Sequence, residues 1–191
     1  EEHISKVVET YHAFEADNIV TKIYPNQFFG YRKVTVDRPL KLNFQINEER
    51  MKLFEVEKQF AKLNEVEKSE YVDVLLSLSK DLYMSRDKFI IDLMKAAKSR
   101  GLKISAPVKK SIIKAFGEQD PSAEVCKDSK GKPEANTSLR DTERIPLDVN
   151  IDDYMGIEVL PHVPNAWVNE TKIGLDKKNF EVGKIGYEIN F

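Results

Sequence analysis

Apolar positions along this chain change their period several times, and each change predicts an element. Ile4, Val7, Val8, Tyr11 and Phe14 recur at helical spacing, with Lys6, Glu9 and Thr10 on the other side. This predicts an amphipathic helix ended by Asp17-Asn18. The β-branched run Ile19 to Tyr24, the turn residues Pro25-Asn26 and the alternation of Phe29 to Asp37 then predict a hairpin. In its second strand Arg32, Val34 and Val36 face one way and Tyr31, Lys33 and Thr35 the other. Pro39 cannot donate to a ladder, so the strand should stop near Arg38.

From Asn47 to Gly117 the period is helical. Asn47 suits an N-cap, and Glu48 and Glu49 complement the helix dipole in the first turn. Leu53, Val56, Phe60 and Leu63 form the expected buried stripe. Asn64 with Glu67 has the spacing of a capping box, and Tyr71, Leu75, Leu78 and Leu82 follow it. Ser85 and Ser105 suit the caps of two further helices. The first carries Phe89, Ile90, Leu93, Met94 and Ala97 and closes at Gly101; the second carries Val108, Ile112, Ile113 and Phe116.

Glu118 to Asn150 is rich in Pro, Ser, Asp, Lys and Gly and has no period, which predicts a long irregular loop. A short helix from Asn150 to Leu160 and a terminal strand in Lys184 to Phe191 complete the reading. The fold class is α+β, mainly α-helical, with four to six helices, a small β hairpin or sheet and the long loop. Three regions follow: 1–46 (helix plus hairpin, completing an upstream domain), 47–117 (helical), and 118–191 (loop, short helix, strand). An isolated hairpin is poorly stable. It needs an upstream sheet, the tail strand or another copy as partner.

Composition adds little until it is divided along the chain. At 191 residues, 41% hydrophobic and 32% charged, the sequence suits a soluble globular protein. No apolar run reaches the length of a membrane span, so no membrane role is expected. One cysteine, Cys126, cannot form an internal disulfide, which fits a cytoplasmic location. The net charge of −2 conceals nine basic and two acidic side chains between Leu82 and Gly117. Lys95, Lys98, Arg100, Lys109, Lys110 and Lys114 lie off the apolar stripes and are the candidates for contact with DNA phosphates. The competing reading is a solvated face balanced by neighbouring acidic segments.

Catalytic chemistry is not visible. His3, His12 and His162 lack ligand spacing, so no metal site is expected. Cys126 sits in a Lys/Asp-rich loop and reads as an incidental surface thiol; Asp120, Glu124, Asp128 and Glu134 read as solvated loop charges. No Pro-Pro pair occurs, and Gly183 with Gly186 makes no cofactor turn. Catalytic and cofactor-binding residues are therefore assigned to none.

Three stretches carry a resemblance: FGYRKVTVDRPL (29–40), DPSAEVCKDSKGKPEANTSLRDTERIPL (120–147) and VLPHVPNAWV (159–168). In this order they resemble the C-terminal region of the modification subunit of type I restriction–modification systems, an adenine-specific DNA methyltransferase family. The family's base pocket, an Asn or Asp followed by two prolines and an aromatic, has no counterpart here. The resemblance implies that helical and methyltransferase domains precede this segment, and that the parent uses S-adenosylmethionine to methylate adenine in duplex DNA. The start at Glu1-Glu2 and the closing IGYEINF fit a segment of a longer protein. The implied partners are the specificity subunit, the restriction subunit and double-stranded DNA. The implied role is docking the specificity subunit and enclosing DNA; the alternative is an independent helical DNA-binding regulator.

Overall fold

The computed structural model describes residues 2–16, 21–169 and 183–188. The fold is α+β and mainly helical, with seven α-helices and small antiparallel sheets among the described residues. No helix among them is long and apolar enough to cross a membrane. The chain divides into two compact units, residues 39–138 and residues 1–38 with 139–191.

The unit of residues 39–138 is built on helices α2 (Glu48–Glu55), α3 (Lys58–Ala61), α4 (Glu65–Leu76), α5 (Arg86–Ser99) and α6 (Ala106–Phe116). The Asn47 side chain accepts from Arg50 N at 2.9 Å, and Asn64 with Glu67 forms a reciprocal capping box. Ser85 and Ser105 stand at the N-cap positions of α5 and α6 without a side-chain bond. Sixteen buried residues form the core, with Phe44, Phe54, Phe89 and Phe116 fully enclosed. The expected stripe slips at its first position. Phe54 is buried, whereas Leu53 and Val56 are exposed. The physical reason is the break after Glu55: a single helical period cannot be carried from α2 into α3. Leu82 and Met94 are exposed as well.

Two short strands, β2 (Leu42–Phe44) and β3 (Gly117–Gln119), pair antiparallel in the same unit. Gly117 is required there, since a Cβ would come within 2.6 Å of the Ile113 carbonyl and 3.0 Å of the Phe44 ring. Part of the expected loop is tied down by bridges between Lys41 and Val125, Pro39 and Ala135, and Lys127 and Pro133.

The other unit is organised on strand β1 (Gly30–Asp37). Strand β4 (Asp141–Pro146) covers one edge of β1, while β5 (Trp167–Val168) and β6 (Lys184–Tyr187) share the other. Helix α7 (Ile151–Tyr154), capped by Asn150 and continued by a π-helical turn over Met155–Val159, packs on one face of the sheet. Val34, Val36, Ile145, Met155 and Val159 are the core.

Two expectations are corrected here. Residues 21–25 form no strand, and a 3₁₀ turn over Asn26–Phe29 leads into β1, so no hairpin forms at this point. Both edges of β1 are already taken, which leaves no ladder for a preceding strand. Residues 118–150 also contain β4, so β1 does not lack partners and Val34 and Val36 are buried. The period of β4 was hidden because Ile145 is its only buried side chain. The tail strand is present as β6; the expected Asp17-Asn18 stop, Ile19 and Val20 of the expected first strand, and residues 189–191 lie outside the described residues.

Helix α1 (Glu2–Ala13) forms at the expected place. Its apolar stripe is not core: Ile4, Val7, Val8, Tyr11 and the following Phe14 are all exposed.

Candidate nucleic-acid interface

The basic segment becomes α5, the connection after it, and α6. The amphipathic α6 buries Val108, Ser111, Ile112, Ala115 and Phe116. Helical spacing then turns Lys109, Lys110, Ile113 and Lys114 outward. An open groove of about 760 Å³ lies between α5, α6 and the turn after Cys126. Ile90, Ile91, Ala106 and Ile113 give it an apolar floor; Lys109, Lys110 and Lys127 bring positive charge, and Asp87, Asp128 and Glu134 bring negative charge to the same lining. A second hollow of about 500 Å³ continues it past Lys110 and Lys114 to Gly117 and Gln119.

The six candidate residues separate. Lys109, Lys110 and Lys114 line these hollows. Lys95, Lys98 and Arg100 are exposed and line neither. Lys114 Nζ is 2.6 Å from Glu57 Oε1, and Arg100 reaches Asp73 at 3.8 Å. Both carboxylates come from the acidic segment that precedes the basic one. Lys109 and Lys110 therefore keep the strongest case for contact with an anion.

Arg86 and Lys127 also line the groove, and the sequence reading passed over both. Arg86 is held bidentately by Glu134 at 2.7 and 2.9 Å and donates to the Lys127 carbonyl. Its hydrogen bond to Glu134 raises the guanidinium pKa further. Such a fork fixes the wall of the groove. Nothing in local sequence signals this pair, because 48 residues separate its members.

Cys126 is not a surface thiol. It is buried, and burial pushes its pKa up while nearby Arg86 pulls the other way. A raised pKa keeps it protonated and a weak nucleophile. Three of the supposed solvated loop charges are also engaged. Glu134 holds Arg86. Asp128 accepts the Lys130 and Lys132 amides at 2.8 and 2.9 Å, which lowers its pKa. Asp120 accepts from Asn43 Nδ2 at 3.0 Å and from Ser122 N at 2.8 Å, and its pKa falls to about 2. The Asn43–Asp120 bond forms because the loop folds back on β2, whereas the bonds to Ser122, Lys130 and Lys132 are local turns within the loop.

The buried Arg50 ties the same region together, donating to the Phe116 carbonyl, to Asn43 Oδ1 and to Glu118. In the sheet unit the exposed His162 only closes a turn through its backbone N–H to Val159 O. Among the described residues no group of three or more His, Cys, Asp or Glu is arranged to hold a metal ion. Compared with family models, with curated proteins and with solved structures, the chain matches none of them significantly.

Proposed function

We propose that this chain is the non-catalytic C-terminal part of a type I modification subunit, a cytoplasmic DNA adenine methyltransferase component that docks the specificity subunit and helps enclose duplex DNA. S-adenosylmethionine would bind elsewhere in the parent protein. One observation supports the reading: a part of each of the three stretches that bear the resemblance pairs in one sheet. The stretch 29–40 supplies β1, the stretch 120–147 supplies β4, and the stretch 159–168 supplies β5. Arg140 of LRDTE also grips Asp37 of VDRP, with its Nε 2.6 Å from Asp37 Oδ1. Such contacts support reading these parts of the resembling stretches as one structural unit. Lys109, Lys110 and Lys114 serve DNA enclosure in this reading, as phosphate contacts that carry no sequence information. The competing reading, a self-contained helical DNA-binding regulator, draws on the α6 groove alone.

The test is the full reading frame and its product. The expected frame carries the base-pocket motif and a glycine-rich cofactor turn ahead of Glu1, and its product methylates adenine only with a specificity subunit. In that complex, exchanging Lys109, Lys110 and Lys114 for Glu weakens DNA binding equally across sequences and flattens its salt dependence. A frame without either motif overturns the family reading. Unchanged affinity and salt slope remove the three lysines from it.

A further inference from the structure

The outer face of the sheet on β1 carries a row of positive charge with no role in the reading above. Lys33 stands opposite Arg144 of β4 on one side and opposite Lys184 of β6 on the other. Directly opposed residues share a face, so the three cations form one line across three strands. All three are exposed. The next row holds Thr35 opposite Thr142, and the preceding row holds Tyr31 opposite Pro146 and Gly186. The other face is the one that buries Val34, Val36 and Ile145 against α7 and its π-helical turn. The cation row is therefore on the open side.

Like charges directly opposite one another destabilise a sheet. This unit holds sixteen acidic and eleven basic side chains, so opposite-sign pairs were the easier arrangement. Arg144 alone has an acidic partner, Glu188 at 2.7 Å. Among the described residues Lys33 and Lys184 have no ion-pair partner. Arg144 is also positioned by Tyr31, its guanidinium carbon 5.1 Å from the ring centroid. Tyr31 in turn lies across Gly186, where a Cβ would come within 2.6 Å of Tyr31 Cζ. Glycine within a strand weakens it; here it gives Tyr31 the room to support Arg144.

We propose that this face is a contact surface for the phosphate backbone of nucleic acid, binding without reading sequence. It offers three cations and two hydroxyls, and Glu188, the carboxylate beside Arg144, is engaged by it. The row spans about 10 Å at the usual strand spacing, enough to face more than one phosphate of a chain. Among the described residues in these three rows of β1, β4 and β6, Tyr31 is the only large side chain with an apolar body, unlike the apolar face of an interfacial membrane anchor. The proposal goes beyond the family reading and does not depend on it. It concerns a different unit from the α6 lysines.

The whole chain is titrated with a fluorescent duplex and a fluorescent single strand, each of two unrelated sequences, between about 50 and 200 mM salt. The variant is K33T/K184T, which keeps β-favouring residues and removes the like-charge opposition, so its folded stability is equal to or above that of the wild type. K109T/K110T reports separately on α6. The expected result is a loss of roughly tenfold or more in K33T/K184T at low salt, equal for both sequences. The slope of log affinity against log salt should fall by about 0.9 per lost contact on duplex and about 0.7 on single strand. Absence of nucleic-acid binding by the wild type overturns the proposal, as does unchanged affinity and slope in K33T/K184T. Binding confined to vesicles of anionic lipid overturns it as well. A loss seen only in K109T/K110T assigns contact to α6 and removes it from the sheet.

Discussion

The helical unit and the sheet unit reach stability in different ways. In residues 39–138 the core is assembled from helices that follow one another, and sixteen buried residues include four fully enclosed phenylalanines. In the other unit β1 pairs with strands more than a hundred positions away, as in the register Arg32 to Ile145, around five buried residues. Local contacts are reached with little loop-closure entropy, whereas such pairings must first close a long chain. The helical unit relies on depth of core, and the sheet unit on its ladder and on polar ties. That difference can be broken by measurement.

The largest effect is expected from Phe89→Ala. The ring is fully buried, stacked on Phe44 at 4.6 Å between centroids and edge-on to Tyr83 at 5.5 Å. Its loss should cost roughly 3–5 kcal/mol in denaturant unfolding. Val34→Ala, at the centre of the sheet unit, should cost only about 2 kcal/mol, from the methyl groups removed. Equal costs would show that the sheet core is not the shallow one described.

The polar tie comes next. Asp37 is 1 % exposed, and its carboxylate accepts from Arg140 and from Asn169. Arg140→Leu leaves that buried carboxylate with a diminished set of donors and should lower the denaturation midpoint, by less than Phe89→Ala does. Arg140→Lys should recover only a part, because an ammonium cannot reproduce the planar fork. Full recovery by Lys would reduce the tie to simple charge pairing.

The same contrast explains what the sequence made legible. Asn47 and the Asn64–Glu67 box are read directly because a cap is decided within one turn of chain. Phe89, Leu93, Val108, Ile112 and Phe116 repeat a period that a helix must obey. Strand β4 was illegible: with Ile145 alone buried, DTERIP carries no alternation to find. The break between α2 and α3 likewise shifted the buried position from Leu53 to Phe54. Of the candidate interface, the α6 lysines followed from spacing. Arg86 with Glu134, and the row of Lys33, Arg144 and Lys184, exist only once distant segments pair.

The smallest effect tests whether the helical unit also depends on a distant polar tie. Asp120 receives Asn43 Nδ2 from β2 together with the Ser122 amide and hydroxyl, and these bonds lower its pKa from 3.8 to about 2. A carboxyl whose pKa is lower folded than unfolded stabilises the fold while it is ionised in both states. That contribution is complete above the unfolded value, about 3.9, and is lost as pH falls from there toward about 2. Asp120→Asn should therefore lower the denaturation midpoint at neutral pH, with a constant gap to the wild type down to about pH 5. The gap should narrow between about pH 4 and 2. Asp128 titrates in the acid range as well, and because it is common to both proteins it cancels in the difference. A gap independent of pH would mean that Asp120 serves only as a hydrogen-bond acceptor that an amide replaces poorly. A gap that narrows identifies its charge as the part that holds β2 to the turn after β3.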